Sequence, residues 1–155
     1  MKLSTLYVSR WVLNGGEELA AWAHSVGFKK ALKPRDFHVT LAFCPKIVDW
    51  DALGQHTDPG IMLWNEASNR KLISLDHKAT AMSFDNNQLW CRWKDLVDKG
   101  VHWDYNTYQP HITISYEDCS HIDLVNIKPF TGDLFLGPEI FRELQLNWVK
   151  KITEN

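Results

Sequence analysis

Phe37-His38-Val39-Thr40-Leu41-Ala42-Phe43 and Pro110-His111-Ile112-Thr113-Ile114-Ser115-Tyr116 read as two copies of one β-strand. Each sets a histidine and a threonine two apart among β-favouring apolar residues. Successive strand side chains point to opposite faces. That periodicity predicts one face of His38, Thr40 and Ala42, with Phe37, Val39, Leu41 and Phe43 on the other. It likewise predicts a face of His111, Thr113 and Ser115, with Ile112, Ile114 and Tyr116 opposite. Two imidazoles with two hydroxyls beside them are a kit for breaking a phosphodiester without a metal.

The chemistry explains the residue types. Histidine is the side chain that most readily exchanges protons near neutral pH, so one can act as base while another acts as acid. Phosphodiester cleavage needs both. Negative charge builds on the non-bridging oxygens, and aimed donors such as Thr40 and Thr113 stabilise it. No carboxylate cluster accompanies the motifs, so neither a metal nor another cofactor is expected. A single strand histidine is usually structural; two in matched apolar context favour a catalytic reading. His24, His56, His77, His102 and His121 lack that context and read as surface or structural.

Composition narrows the partners. The 155-residue chain suits one domain, taken as 1–155, and carries a net charge of −2. Proteins that grip long nucleic acid usually carry a basic surplus, because phosphate neutralisation drives that binding. A small nucleotide needs only local positive charge, so it is favoured over a polymer. No apolar run is long enough to span a bilayer, and Met1–Tyr7 lacks the pattern of a signal peptide. Cys44, Cys91 and Cys119 show neither disulfide nor zinc spacing, which makes a reducing cytoplasm the expectation. Most of the eight tryptophans read as core.

Along the chain, Leu3–Val8 reads as a strand. Asn14 with Glu17 resembles a capping box, opening a helix on Leu19, Trp22, Ala23 and Val26 that stops at Gly27. Pro45 is expected to end the first histidine strand. Residues 46–70 read as irregular. A strand is expected within Leu72–Phe84, a turn at Asp85–Asn87, and a further strand over Leu89–Trp93 that forms a hairpin with it. A short helix over Asp95–Lys99 stops at Gly100. The second histidine strand spans Tyr108–Tyr116, and two more strands cover Thr131–Leu136 and Ile140–Val149. This order predicts an α+β fold of mainly antiparallel sheet with helices. Two motif strands at matching places in the chain predict two similar lobes around a central cleft.

The paired His-x-Thr strands resemble the signature of the two-histidine (2H) phosphoesterases, with His38, Thr40, His111 and Thr113 at the motif positions. The opening Leu3–Trp11, the His38 stretch and the chain length resemble the phage anti-CBASS nucleases, which destroy the cyclic di- and trinucleotide alarms of bacterial immunity. The resemblance implies a bilobal α+β fold and metal-free cleavage of 3'-5' bonds in a small cyclic nucleotide. A 2',3'-cyclic phosphodiesterase acting on RNA ends and a non-catalytic sequestering module stay open as alternatives. Substrate-contact candidates are Tyr7 at the end of the first strand, Tyr105 before the second motif, and Trp64 in the irregular segment. Glu139 joins them because the anti-CBASS enzymes read an adenine with a carboxylate in this region. Lys33 and Arg35 read as a solvated turn. Oligomeric state is left open.

Overall fold

Leu6 and Val8 are fully buried while Tyr7 between them is only partly so, and this alternation lays the first strand down with one apolar face. This is β1, Leu3–Asn14. The computed structural model describes residues 1–117 and 119–144. After β1 come helix α1 (Gly16–Ser25), β2 (His38–Asp49), the one-turn helix α2 (Trp50–Leu53) and β3 (Ile61–Leu63). The hairpin β4 (Lys71–Leu75) and β5 (Ala79–Ser83) follows, then helix α3 (Asn87–Asp98) and β6 (His111–Ser115). β7 (Leu134–Leu136) and β8 (Ile140–Arg142) close the described chain. The eight strands form one antiparallel sheet in the order β3-β7-β1-β2-β6-β5-β4, with β8 paired to β1. The fold is α+β, and β2 lies at the middle of the order with a wing of strands on each side. Its core draws on Val39 and Leu41 of β2, Ile112 and Ile114 of β6, Leu19 and Ala23 of α1, and Leu89, Trp93 and Leu96 of α3.

Three local expectations are corrected. The strand and hairpin expected at Leu89–Trp93 are absent: this stretch is the first half of α3, and Asp95–Lys99 falls in its last turns. The Asn86 carboxamide accepts a hydrogen bond from the Leu89 amide at 2.9 Å, so Asn86 caps a helix rather than turning a hairpin. The hairpin spans Lys71–Ser83, one residue beyond the expected stretch at its start, around a turn where Asp76 and His77 have φ of 53° and 60°. Positive φ at both central residues matches the right-handed twist of the flanking strands. Asn14 does not cap α1. β1 continues through it, and Gly15 at φ 91° is the cap, with no side-chain bond. Pro45 does not end β2. Ser4 pairs with Val48 but Leu6 with Cys44, so β2 bulges across Pro45, where a missing N–H costs little. Of the strand expected over Ile140–Val149, residues beyond 144 lie outside the described ones.

Long-range polar ties fasten the far wing. Arg10 is 1% exposed, and its two terminal nitrogens donate to both Asp58 oxygens at 2.9 and 2.8 Å and to the Gly137 carbonyl at 3.0 Å. This guanidinium holds the Asp58 carboxyl below the usual carboxylate range. Arg92 on α3 donates to both oxygens of Glu139, at 2.8 and 2.9 Å, and the Glu139 carboxylate also accepts from the His56 amide at 2.9 Å. Both members of this pair are buried.

Two stability predictions follow from this packing. Glu139→Ala removes the buried carboxylate of the pair and leaves Arg92 only the part-exposed Asp95 carboxylate, 2.6 Å away, which costs up to about 3 kcal/mol. Urea unfolding should show a midpoint well below wild type, and an unchanged midpoint would remove the pair from the account of stability. Gly15→Ala would set a Cβ 2.6 Å from the Asp133 carbonyl oxygen at a positive φ. It should destabilise by more than about 1 kcal/mol in the same assay, whereas the open site at Gly54 offers the clash-free positive-φ control.

Candidate active site

β2 and β6 pair antiparallel through Val39 and Ile112, both fully buried. Continued one residue each way, that register sets His38 across from Thr113 and Thr40 across from His111. All four side chains then share the face opposite the core. They line one cleft of about 810 Å³. Two motifs far apart in sequence thus meet as a four-cornered patch on adjacent strands.

The alternation expected along each motif fails at one matching point. Val8 pairs with Ala42 but Ser9 with Thr40, so Leu41 is an extra residue in β2. Thr80 pairs with Ser115 but Ala81 with Thr113, so Ile114 is an extra residue in β6. Each bulge falls three residues after its histidine and reverses the faces beyond it. Ala42 and Ser115 therefore turn inward, at 1% and 0% exposure, while Phe43 and Tyr116 reach the cleft. The sequence periodicity assigned all four to the opposite faces.

The histidines are anchored alike. His38 Nδ1 lies 2.9 Å from the Asp36 carbonyl oxygen, and His111 Nδ1 lies 3.0 Å from that of Gln109. A carbonyl only accepts, so each Nδ1 carries the proton in this arrangement. The tautomer is assigned from that hydrogen bond. Nε2 is left as the unprotonated ring nitrogen, an acceptor. The anchor is the carbonyl two residues upstream in both cases, so the duplication extends to the hydrogen bond.

Tyrosines hold Thr40 from two sides. The Tyr7 and Thr40 hydroxyls are hydrogen-bonded at 2.7 Å, with either able to donate. The Tyr108 hydroxyl donates to the Thr40 carbonyl at 2.6 Å. Burial raises the pKa of both phenols, so both stay protonated at neutral pH. Tyr108 is itself fixed by stacking on Trp93, with ring centroids 5.5 Å apart.

The other candidates separate. Tyr7 and Tyr105 line the cleft, the latter 73% exposed. Trp64 is exposed but is not among the cleft-lining residues. Glu139 is a correction: at 1% exposure, with its oxygens taken by Arg92 and the His56 amide, it has no carboxylate edge to offer a base. Lys33 and Arg35 do not line the cleft, in keeping with a solvated turn. Trp11, Trp103 and Arg142 do line it and were not singled out from sequence. Trp11 pairs with His38 across β1 and β2, and their rings lie 4.8 Å apart. One signal points to Trp11: its odd position puts it in phase with Tyr7.

Comparisons with known proteins speak to the family and the fold. The family described as "Anti-CBASS protein Acb1" matches residues 4–151. An anti-CBASS protein Acb1 of Caulobacter sp. (strain RHG1) is 38% identical over 152 residues, 96% of this chain and 24% of that protein. One of Sphingomonas paeninsulae is 34% identical, covering 92% and 23%. The chain thus spans about a quarter of the length of these two bacterial relatives. One of Vibrio phage KVP40 is 26% identical, covering 86% of this chain and 82% of that protein. Among solved structures, a phosphoesterase superposes with TM-score 0.61 at 16% identity, covering 92% of this chain and 96% of that one. E. coli LigT complexed with NADP+ superposes with TM-score 0.61 at 15% identity, covering 93% and 96%. At such identity these two likenesses speak for the fold. With the family match running over nearly its whole length, the chain belongs to the anti-CBASS protein Acb1 family.

Proposed function

We propose that this protein is a metal-independent phosphodiesterase that opens 3'-5' bonds of cyclic di- or trinucleotide immune signals. The observation that carries the reading is the pair of imidazoles on adjacent strands, each held by the same carbonyl contact and each lining one cleft. The family's anti-CBASS name supports a role against that immune system, and its cyclic nucleotide signals are the substrate class of this reading. Residues 1–155 act in this reading as one bilobal unit around that cleft, in the cytoplasm where such signals are made. No helix among the described residues is long and apolar enough to cross a membrane.

One histidine takes the proton of a ribose 2'-hydroxyl through Nε2. The 2'-oxygen attacks the phosphorus on the neighbouring 3'-oxygen. The bond to the 5'-oxygen breaks, and the other histidine protonates that oxygen as it leaves. The product is a linear nucleotide ending in a 2',3'-cyclic phosphate. Water can then open that phosphate, with the two histidines exchanging roles. The Thr40 and Thr113 hydroxyls donate to the non-bridging oxygens as charge builds there. When Tyr7 donates to Thr40 Oγ1, the Thr40 proton is left to point at the phosphate. A ring joined wholly by 2'-5' bonds has no 2'-hydroxyl beside its phosphates and resists this chemistry.

Purified protein incubated with 3',3'-cyclic GMP-AMP in excess EDTA should give a linear product of unchanged mass or one water heavier, read by mass spectrometry. An intact ring would move the activity to RNA ends, or to sequestration if the ring is bound. His38→Ala and His111→Ala should each keep the wild-type melting profile and lose about 10²- to 10⁴-fold in turnover. Wild-type turnover by either variant would end the assignment. Tyr7→Phe should lower kcat by about 10-fold, less than loss of a direct oxyanion donor, because it acts through Thr40.

A further inference from the structure

We infer that Arg142 holds the second phosphate of a cyclic dinucleotide, the one that is not being cut. This deepens the cyclic-nucleotide reading above and rests on it. Among the described residues lining the cleft, Arg142 alone carries a guanidinium or ammonium group. Its place follows from the sheet. Arg142 of β8 pairs with Tyr7 of β1, and Tyr7 pairs with Phe43 of β2, so the three share a face. Reading across the strands, Arg142 comes first, then Tyr7 and Trp11, then His38 and Thr40, then His111 and Thr113.

Adjacent strands lie about 4.8 Å apart, so the Arg142 backbone stands about 10 Å from β2. A side chain of arginine length closes most of that span towards the histidine pair. The guanidinium carbon lies 5.8 Å from the centre of the Trp11 ring, whose indole is in turn 4.8 Å from the His38 ring. The ring face attracts and orients the planar cation without consuming its N–H donors.

Charge bookkeeping points the same way. Among the described residues Arg142 makes no ion pair, since the neighbouring Glu143 carboxylate is engaged by Lys2 at 2.8 Å. A bidentate guanidinium–phosphate contact suits a ligand oxygen pair held beside the reacting phosphate. A nucleotide with one phosphate places that group at the histidines and leaves Arg142 idle. A two-phosphate ring engages both stations.

The test is calorimetric binding in the His111→Ala background, where the ring is not turned over, with a thermal melt confirming each fold. The ligands are 3',3'-cyclic GMP-AMP and adenosine 3'-monophosphate. Adding Arg142→Met should weaken the ring by about 10-fold and the monophosphate by less than about 3-fold, with Arg142→Lys recovering part of the loss. The salt dependence of ring binding should flatten in the Met variant. Equal loss for both ligands, no loss for either, or a ring that no variant binds would overturn the inference. A ring that binds through Arg142 yet is never opened by wild-type protein would sink the phosphodiesterase reading and leave this one standing.

Discussion

The pairing of β2 with β6 is the constraint on which the site depends. It rests on a short ladder between Val39 and Ile112, far briefer than the β1–β2 ladder beside it. Because both residues are fully buried, a one-residue slip would drive His38 or His111 into the core and expose an apolar side chain. Burial therefore sets the register, and the register sets the geometry of the histidine–threonine patch. The short ladder needs neighbours to hold it. β1 clamps β2 from one side, β5 clamps β6 from the other, and Tyr108 ties Thr40 to the segment leading into β6.

The two matching bulges show that the duplication is structural as well as textual. A bulge bends its strand and raises the local twist. Placed three residues past each histidine, it lifts Phe43 and Tyr116 onto the cleft face and leaves the His-x-Thr pair in regular strand. Both motifs thus consist of a regular half that presents chemistry and a bent half that presents an aromatic wall. Such a wall, with Trp11, Trp103 and Tyr105, suits flat bases, while the hydroxyls and imidazoles suit phosphate.

What the sequence made legible was local. The motif strands, the amphipathic face of α1 and its stop at Gly27 follow from period and propensity. The bulges left no mark, because an extra residue in a strand needs neither glycine nor proline. The start of α3 reads as a strand because Leu89-Trp90-Cys91-Arg92-Trp93 is short, apolar and rich in aromatics. Leu89, Trp93 and Leu96 at i, i+4 and i+7 were the signal that mattered, and all three are buried. Glu139 could not be placed from sequence because its partner Arg92 lies 47 residues away. Resemblance supplied a role for a carboxylate in that region, and the ion pair removed this one from contention. Arg142 was hidden for the same reason: only the β8–β1 pairing brings it to the cleft.

The sheet treats the two histidines differently despite their shared anchor. Across β1, His38 faces Trp11; across β5, His111 faces Ser83, a small residue whose hydroxyl donates to the Lys71 carbonyl at 3.4 Å. One imidazole is therefore walled by an indole and the other is not. The Nδ1 anchors are carbonyls, which orient a ring without placing a formal charge on it. A fixed carboxylate at one anchor would have favoured the imidazolium there and committed that histidine to one role. Under the phosphodiesterase reading proposed above, neutral anchors leave base and acid to be decided by where the ligand puts its 2'-hydroxyl and its leaving oxygen. On the same proposal, the aromatic walls and Arg142 govern that placement, so substrate orientation and the division of proton-transfer labour become one question.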